Sequence, residues 1–235
     1  AFSSGADIGR FPSLLGDAEA GAQYARDCSR LLVHLDRCPK PVVAALNGMA
    51  LGGGLELAMR CHGIVALAGA RMQFPEITLG IVPGIGAMVV PYRRWPAAAE
   101  VFHGMLLRAE SLRAEKAAAL GIVDACVGTQ AELVAAALAR VLTLAGTPYR
   151  VSDAPVAIPA LPVAAEPVAS NGQRLSAAIS AILAGAVRDA AATRGFDAAL
   201  ETGYRAFGDS ACTEAAREGI SAFAERRKPD FAKTG

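Results

Sequence analysis

The sequence predicts an α/β fold in which strands and helices alternate over the first 145 residues and helices alone follow. Up to residue 145, short apolar runs typical of buried strands alternate with segments of helical composition, which is the order of a parallel α/β unit. A segment at 146–170 contains five of the thirteen prolines and few charges. Beyond it, leucine and isoleucine recur at helical spacing. We therefore expect a core over 1–145, a linker over 146–170 and a helical region over 171–235.

Three buried strands are predicted in the core, at 42–46, 63–68 and 122–127. Each run is short and mostly apolar, and glycine, proline or asparagine residues that favour turns lie beside it. The triple glycine at 52–54 begins a helical segment that extends to Cys61. The other helices of the core are predicted at 97–107, 111–120 and 131–145. The helices of the C-terminal region are predicted at 174–193, 196–207 and 212–227.

Composition and charge exclude several classes of protein. With 23 basic and 22 acidic residues the net charge is +1, which provides no field to capture a nucleic acid or an anionic membrane. Five cysteines without a CxxC pair predict a reduced, intracellular protein without a disulfide framework or a metal site. The apolar stretch 42–59 contains Asn47 and Glu56, so a strand, a turn and a helix explain it better than a membrane span. The N-terminus has no signal-peptide pattern.

The glycine block Gly52, Gly53 and Gly54 is a candidate cradle for an anion or an oxyanion. It directly precedes a helical segment, and a helix N-terminus carries unpaired N–H groups and partial positive charge. Glycines there let a ligand approach the backbone without meeting a Cβ. The phosphate-loop patterns are absent. Tight packing of the helix on a strand explains the glycines equally well, so both interpretations stay open at this point.

Two glutamates, Glu56 and Glu76, stand in unusual surroundings. Glu56 lies between Leu55 and Leu57 in the first turn of an apolar helical segment, and Glu76 follows a proline in FPEITLG. A lone glutamate in such a place is usually an N-terminal helix partner or half-exposed. Two of them, each beside glycine-rich backbone, fit a pair of carboxylates that act as acid and base on one substrate.

Four blocks of the sequence resemble the enoyl-CoA hydratase/isomerase (crotonase) superfamily. They read AFSSGADI, KPVVAALNGMALGGGLELAMRC, FPEITLGIVPGIG and EAAREGISAFAERRKPDF, and they stand in the family's order over nearly the whole chain. The resemblance implies a crotonase-like β-β-α spiral followed by a helical trimerisation region, assembled as a homotrimer or a dimer of trimers. It implies an acyl-CoA thioester substrate, whose coenzyme A is part of the substrate, and no separate cofactor. The implied location is the cytoplasm, or the mitochondrial matrix in a eukaryote.

The resemblance also implies the catalytic residues of an enoyl-CoA hydratase. Backbone N–H groups of Ala6 and Gly53 would hold the thioester oxygen. Glu56 and Glu76 match the two family glutamates that flank the water, and the backbone of Gly84 matches the glycine that positions it. We assign Glu76 as the proton donor to C2 and Glu56 as the group that activates water.

The coenzyme A moiety is expected to follow the same blocks. Ser4 and Ile8 match positions along the adenine and pantetheine path, and Gly52 lies in the glycine block beside the thioester. Arg226 matches a basic position that reaches the CoA phosphates, a role that the two following basic residues could share. A solvated charge favoured by the helix dipole is the alternative for Arg226.

The sequence departs from the hydratase pattern in the segment that helps to build the acyl pocket. Family hydratases commonly continue Gly-Thr-Gln after the PGIG motif, whereas this chain reads AMVV at 87–90. Three alternatives to a hydratase therefore stay open. They are a Δ3,Δ2-enoyl-CoA isomerase, another crotonase-type enzyme that acts on an unusual acyl group, and a non-catalytic acyl-CoA-binding oligomer. Family members carry several dozen residues before the position of Ala1, so 235 residues are expected to be most of one domain.

Overall fold

The computed structural model of the protein describes residues 1–147, 150–232 and 234. Its strands are β1 (Val43–Leu46), β2 (Ala50–Leu51), β3 (Gly63–Leu67), β4 (Arg71–Gln73), β5 (Leu112–Arg113) and β6 (Ala125–Val127). Its α-helices are α1 (Ala18–Asp36), α2 (Gly53–Arg60), α3 (Val90–Arg94), α4 (Ala99–Arg108), α5 (Ala114–Ala119), α6 (Gln130–Leu144), α7 (Ala177–Ala192), α8 (Phe196–Ala211) and α9 (Glu214–Ala224). Short 3₁₀ helices cover Ile8–Leu14, Glu76–Leu79 and Pro96–Ala98.

Tertiary contacts divide the chain into two compact units, each assembled from three segments. Unit 1 comprises Ala1–Ala6, Arg30–Gln73 and Ser111–Val151. Unit 2 comprises Asp7–Ser29, Phe74–Glu110 and Ser152–Gly235. The division into core, linker and helical region along the sequence stays a prediction. Pro148 and Tyr149, which the predicted linker includes, lie outside the described residues.

Unit 1 contains two small sheets. In the first, the order is β1-β3-β6 and both pairings are parallel, as the alternation of strands and helices predicts. In the second, β2 pairs in parallel with β4, and β4 pairs antiparallel with β5. The first four residues of β3 are all buried, which is typical of parallel strands covered on both faces. Helix α6 packs against β1 and β3.

Several elements differ from the sequence prediction. The expected helix at 111–120 begins instead as β5, because Leu112 pairs with Met72 of β4, and α5 starts only at Ala114. The third predicted strand is shorter, since Asp124 turns its carboxylate to the N–H of Ile64 at 2.8 Å and β6 begins after it. Helices α1 and α3 and strands β2 and β4 were not anticipated from the sequence.

Unit 2 is mainly helical, and its helices support the predicted helical C-terminal region. Helices α7 and α8 pack against each other, α4 packs on α7, and α9 packs on the 3₁₀ helix Glu76–Leu79. The described residues of 150–176 form neither helix nor strand apart from a bridge between Val168 and Arg174. Within the described parts of the chain, no helix is long and apolar enough to cross a membrane.

Candidate functional site

The glycine block forms the connection from β2 to α2 in unit 1. Gly52 has a φ of 51° and a ψ of −128°, a conformation that favours glycine, and its N–H donates to the carbonyl of Gln73 at 3.0 Å. Helix α2 begins at the next residue, Gly53. The first N–H groups of any α-helix have no intrahelical acceptor. The N–H groups of Leu55 and Glu56 donate to the carbonyl of Gly52, so the groups without an acceptor inside α2 are those of its first two residues, Gly53 and Gly54.

The segment from Ser3 to Ala6 lies directly against this turn. Ser3 pairs in parallel with Ala50, and its carbonyl accepts from the N–H of Leu51 at 2.9 Å. Gly5 has a φ of +87°, and a Cβ at this position would lie 2.8 Å from the oxygen of Leu51 and 3.1 Å from the nitrogen of Gly53. Ala6 is the next residue and is exposed. Ala6 and Gly53 thus belong to two adjacent backbone segments of one unit.

Glu56 lies in the first turn of α2 and is almost completely buried. Glu56 is 3% exposed, and its backbone N–H donates to the carbonyl of Gly52 at 3.0 Å. Leu55, Ala58 and Met59 are also buried. A carboxylate in the first turn of a helix is favoured by the helix dipole, which offsets part of the cost of burial. The side chain therefore lies beside the glycine block and is shielded from bulk water.

Glu76 begins the 3₁₀ helix Glu76–Leu79 in unit 2. The residue is half-buried, and its Oε2 atom is shielded from solvent. The short helix is in backbone contact with α9. A Cβ on Gly80, whose φ is +69°, would lie 2.2 Å from the oxygen of Ala215, and a Cβ on Gly219 would lie 2.0 Å from the oxygen of Leu79. Glycine at both positions is therefore what permits the close approach that holds the Glu76 helix.

Gly84 and the segment after it complete this part of unit 2. Gly84 is half-buried, and a Cβ there would lie 3.1 Å from the ring of Phe207. The carbonyl of Gly86 accepts from the N–H groups of Val89 and Val90, which turns the chain into α3. All four residues at 87–90, where the sequence departs from the hydratase pattern, are buried.

The residues predicted to contact coenzyme A have different surroundings. Ser4 is exposed beside Gly5 in unit 1, whereas the half-buried Ile8 begins the first 3₁₀ helix of unit 2. Arg226 is exposed and has a left-handed φ of 56° just after α9. Its N–H donates to the carbonyl of Phe223, and the next N–H, of Arg227, donates to Ala222. These two bonds form a Schellman motif, in which glycine usually occupies the position of Arg226.

The basic residues after α9 are not equivalent. The guanidinium of Arg227 pairs with Glu218 at 2.5 Å and with Glu225 at 2.6 Å. These hydrogen bonds raise the pKa of Arg227 and hold its side chain on α9. Across residues 1–147, 150–232 and 234, no ion pair involves Arg226 or Lys228. Of the three, Arg227 is the one whose side chain has carboxylate partners within the described residues.

Unit 1 holds part of the predicted site, and unit 2 holds the rest. Ser4, Ala6, Gly52, Gly53 and Glu56 belong to unit 1, and Ile8, Glu76, Gly84 and Arg226 belong to unit 2. Their roles stay predictions. One contact near Glu76 was missed at the sequence level: the Gln173 side chain reaches the Glu76 helix across 95 positions of sequence, and no local pattern signals it. Within the described residues, no group of three or more His, Cys, Asp or Glu side chains could hold a metal ion.

The sequence is similar to a known protein family and to several known proteins. The family profile described as enoyl-CoA hydratase/isomerase matches residues 1–154. A Bacillus subtilis protein described as "Probable enoyl-CoA hydratase" is 31% identical over 231 residues, which are 98% of this chain and 77% of that protein. The glyoxysomal fatty acid beta-oxidation multifunctional protein of Brassica napus is 35% identical over 151 residues, but this chain covers only 20% of its length.

Solved structures agree on the fold. An enoyl-CoA hydratase from Mycobacterium avium subsp. paratuberculosis K-10 aligns with a TM-score of 0.59 at 24% identity, over 89% of this chain and 72% of the other. The enoyl-CoA hydratase from Bacillus anthracis aligns with a TM-score of 0.54 at 22% identity, over 98% of this chain and 76% of the other. At this identity the structures establish the crotonase fold and nothing more. The profile match and the Bacillus subtilis relative show that the chain belongs to the enoyl-CoA hydratase/isomerase family.

Proposed function

We propose that the protein is an enoyl-CoA hydratase, which adds water reversibly across the α,β double bond of an enoyl-CoA thioester. The observation that carries the proposal is the presence of Glu56 and Glu76 at both positions of the family's glutamate pair. Family isomerases and several other branches keep only one of these carboxylates. The burial of Glu56 beside the glycine block supports a role in chemistry, since a solvated surface role needs an exposed side chain.

The N–H groups of Ala6 and Gly53 would form the oxyanion hole. The thioester oxygen accepts a hydrogen bond from each, which polarises the conjugated system and makes C3 electrophilic. The close approach of the Gly5 backbone to the nitrogen of Gly53 supports this pairing. Removing one donor of such a hole typically costs about 3–4 kcal/mol of transition-state stabilisation.

The two glutamates divide the proton transfers. Glu56 accepts a proton from water as the water oxygen bonds to C3, and the electrons of the double bond move toward the thioester oxygen. Glu76, protonated at the start, delivers its proton to C2, which yields the 3-hydroxyacyl thioester. Exchange with solvent then returns both carboxyl groups to their initial protonation states. General acid–base groups of this kind contribute roughly 10²- to 10⁴-fold each.

Backbone and surface groups would orient the water and the coenzyme A moiety. The backbone of Gly84 positions the attacking water, and Gly52 borders the thioester. Ser4 and Ile8 line the adenine and pantetheine path. Arg226 would bind a CoA phosphate. In support, no ion pair within the described residues involves its guanidinium. Coenzyme A belongs to the substrate, and no separate cofactor is needed.

The proposal extends to assembly and location. We infer a homotrimer or a dimer of trimers built through the helical region 171–235, as the family resemblance implies. A reducing, cytoplasmic setting fits five cysteines that are all free thiols.

An isomerase acting on a 3-enoyl-CoA is the second candidate. It is favoured by the buried apolar residues Ala87, Met88, Val89 and Val90, which stand where hydratases carry Gly-Thr-Gln. Such a reaction moves one proton between carbon atoms and takes up no water, so a single carboxylate suffices.

A panel of enoyl-CoA thioesters tests the proposal. We expect the ultraviolet absorbance of 2-enoyl-CoAs to fall as a 3-hydroxyacyl-CoA forms, with incorporation of oxygen from heavy-oxygen water. Conversion of 3-enoyl-CoAs without that incorporation would favour the isomerase. Binding of acyl-CoA without turnover of any of these thioesters would favour a non-catalytic oligomer.

A further inference from the structure

A short turn at the end of the proline-rich segment is held together by backbone hydrogen bonds. Val168 and Arg174 form an antiparallel bridge, and the N–H of Ala169 donates to the carbonyl of Gln173 at 2.8 Å. The N–H of Gly172 donates back to Ala169 at 2.9 Å, and Gly172 has a φ of +84°, which favours glycine. These bonds define residues 168–174, which we name the 168–174 turn.

The 168–174 turn is anchored to the end of α4 within unit 2. The N–H of Ser170 donates to the carbonyl of Arg108 at 2.8 Å, and its hydroxyl donates to Ala109 at 3.3 Å. At the base of the turn the N–H of Leu175 donates to Pro167 at 2.8 Å, and the Leu175 side chain is buried. The turn therefore has a fixed position from which a side chain can hold another element.

The Gln173 side chain makes that contact with the helix of Glu76. Its Nε2 donates to the carbonyl of Thr78 at 3.0 Å, and the residue is half-buried. Thr78 lies two positions after Glu76 in a helix of only four residues. A 3₁₀ helix this short has few hydrogen bonds of its own, so its orientation depends on external contacts. Helix α9 supplies one such contact at Leu79 and Gly80, and Gln173 supplies another at Thr78.

We propose that Gln173 is a positioning residue for the carboxyl group of Glu76. The inference rests on the proposed role of Glu76 in proton transfer to the acyl-CoA. Proton transfer requires that the carboxyl oxygen of Glu76 lie within reach of C2, the carbon that receives the proton. A displacement of about 1 Å can cost about 100-fold in rate. By holding the Thr78 carbonyl, Gln173 fixes the rotation of the helix and hence the direction of the Glu76 side chain. Gln173 itself takes no part in the chemistry.

The substitution Gln173→Met tests the inference with little change of size. Methionine has a similar length but cannot donate to the Thr78 carbonyl. Gln130→Met is the matched control, because Gln130 is exposed at the first position of α6 in unit 1. We expect kcat of Gln173→Met to fall about tenfold with KM within about twofold of the wild type. The control should keep both constants and a similar unfolding temperature.

A second comparison separates positioning from a general loss of structure. In a Glu76→Gln background, Gln173→Met should lower kcat by less than about twofold, because the group it positions is already gone. Hydrogen exchange gives a readout independent of turnover. Amides at 76–81 should exchange about tenfold faster in Gln173→Met, while those of α7 and α8 keep their protection.

Several results would overturn the inference. One is a Gln173→Met enzyme with unchanged kcat and unchanged exchange at 76–81. Another is an equal fractional loss of kcat in the wild-type and Glu76→Gln backgrounds, which would indicate a structural role unrelated to Glu76. Failure of the hydratase proposal looks different: Glu76→Gln would keep full activity, or no enoyl-CoA would be turned over. The exchange at 76–81 would still decide whether Gln173 holds the helix.

Discussion

The substitution Gly5→Ala tests whether the 3–6 segment forms one side of the oxyanion hole. The Gly5 φ of +87° disfavours any L-residue, and a Cβ would lie 2.8 Å from the Leu51 oxygen, closer than side chains tolerate. Gly69→Ala is the matched control in unit 1, since Gly69 has a φ of +80° and a Cβ there would meet no atom within 4 Å. Both variants should lose about 1–2 kcal/mol of unfolding free energy from the backbone conformation.

Only Gly5→Ala should also damage catalysis. The new Cβ must displace the Leu51 oxygen or the Gly53 nitrogen, whose N–H is a proposed donor. A complete loss of one donor costs about 3–4 kcal/mol, so a partial displacement that forfeits half of it costs about 1.5–2 kcal/mol. At about 1.4 kcal/mol per factor of ten, kcat/KM should fall about 10- to 30-fold.

The assay is steady-state hydration of an enoyl-CoA, with urea unfolding of the same preparations. Gly69→Ala should keep kcat/KM within about twofold of the wild type despite its lower stability. The reasoning is refuted if both variants lose the same stability and both keep full activity. It is equally refuted if both lose activity by the same factor, because the loss would then follow stability and not the geometry of the turn.

Two further predictions concern unit 2. Arg226→Gly should raise the unfolding free energy by about 1 kcal/mol, since glycine suits the left-handed φ of 56°. The same variant should raise KM for an acyl-CoA in low salt; unchanged KM would argue against phosphate binding by Arg226. Burial lowers the pKa of His103 below its ordinary 6.5, so the native state binds fewer protons than the unfolded chain. The contribution of the neutral His103 to the unfolding free energy is present above pH 6.5 and is lost as the pH falls below it. His103→Leu should remove that part of the pH dependence in denaturant titrations. An identical pH dependence in both proteins would contradict this.

Elements with a strong local signal were predictable from the sequence. β1 and β3 lie within one residue of their predicted bounds. Short apolar runs flanked by turn residues are typical of buried strands, so the local sequence indicates where each strand begins and ends. The division into units was not predictable, since it depends on contacts between distant segments. Likewise β5 exists only because Leu112 pairs with Met72 across 40 positions, whereas its local composition favours helix.

The candidate site shows the same contrast. The glycine turn, with Gly52 at a φ of 51°, is predicted by the triple glycine that directly precedes a helical segment. The left-handed backbone of Arg226 could not be anticipated, because glycine or asparagine normally occupies that position. The bond from Gln173 to Thr78 could not be anticipated either, because it joins residues 95 positions apart and no local pattern signals it.

The hydration rates of Glu56→Gln and Glu76→Gln, measured beside the wild type on the best enoyl-CoA of the panel, test the central claim most directly. Glutamine keeps the shape of each side chain but cannot transfer the proton. The two-carboxylate account predicts that each variant loses about 10²- to 10⁴-fold in kcat while its unfolding transition stays close to that of the wild type. Hydration that persists at the wild-type rate in both variants would contradict the account.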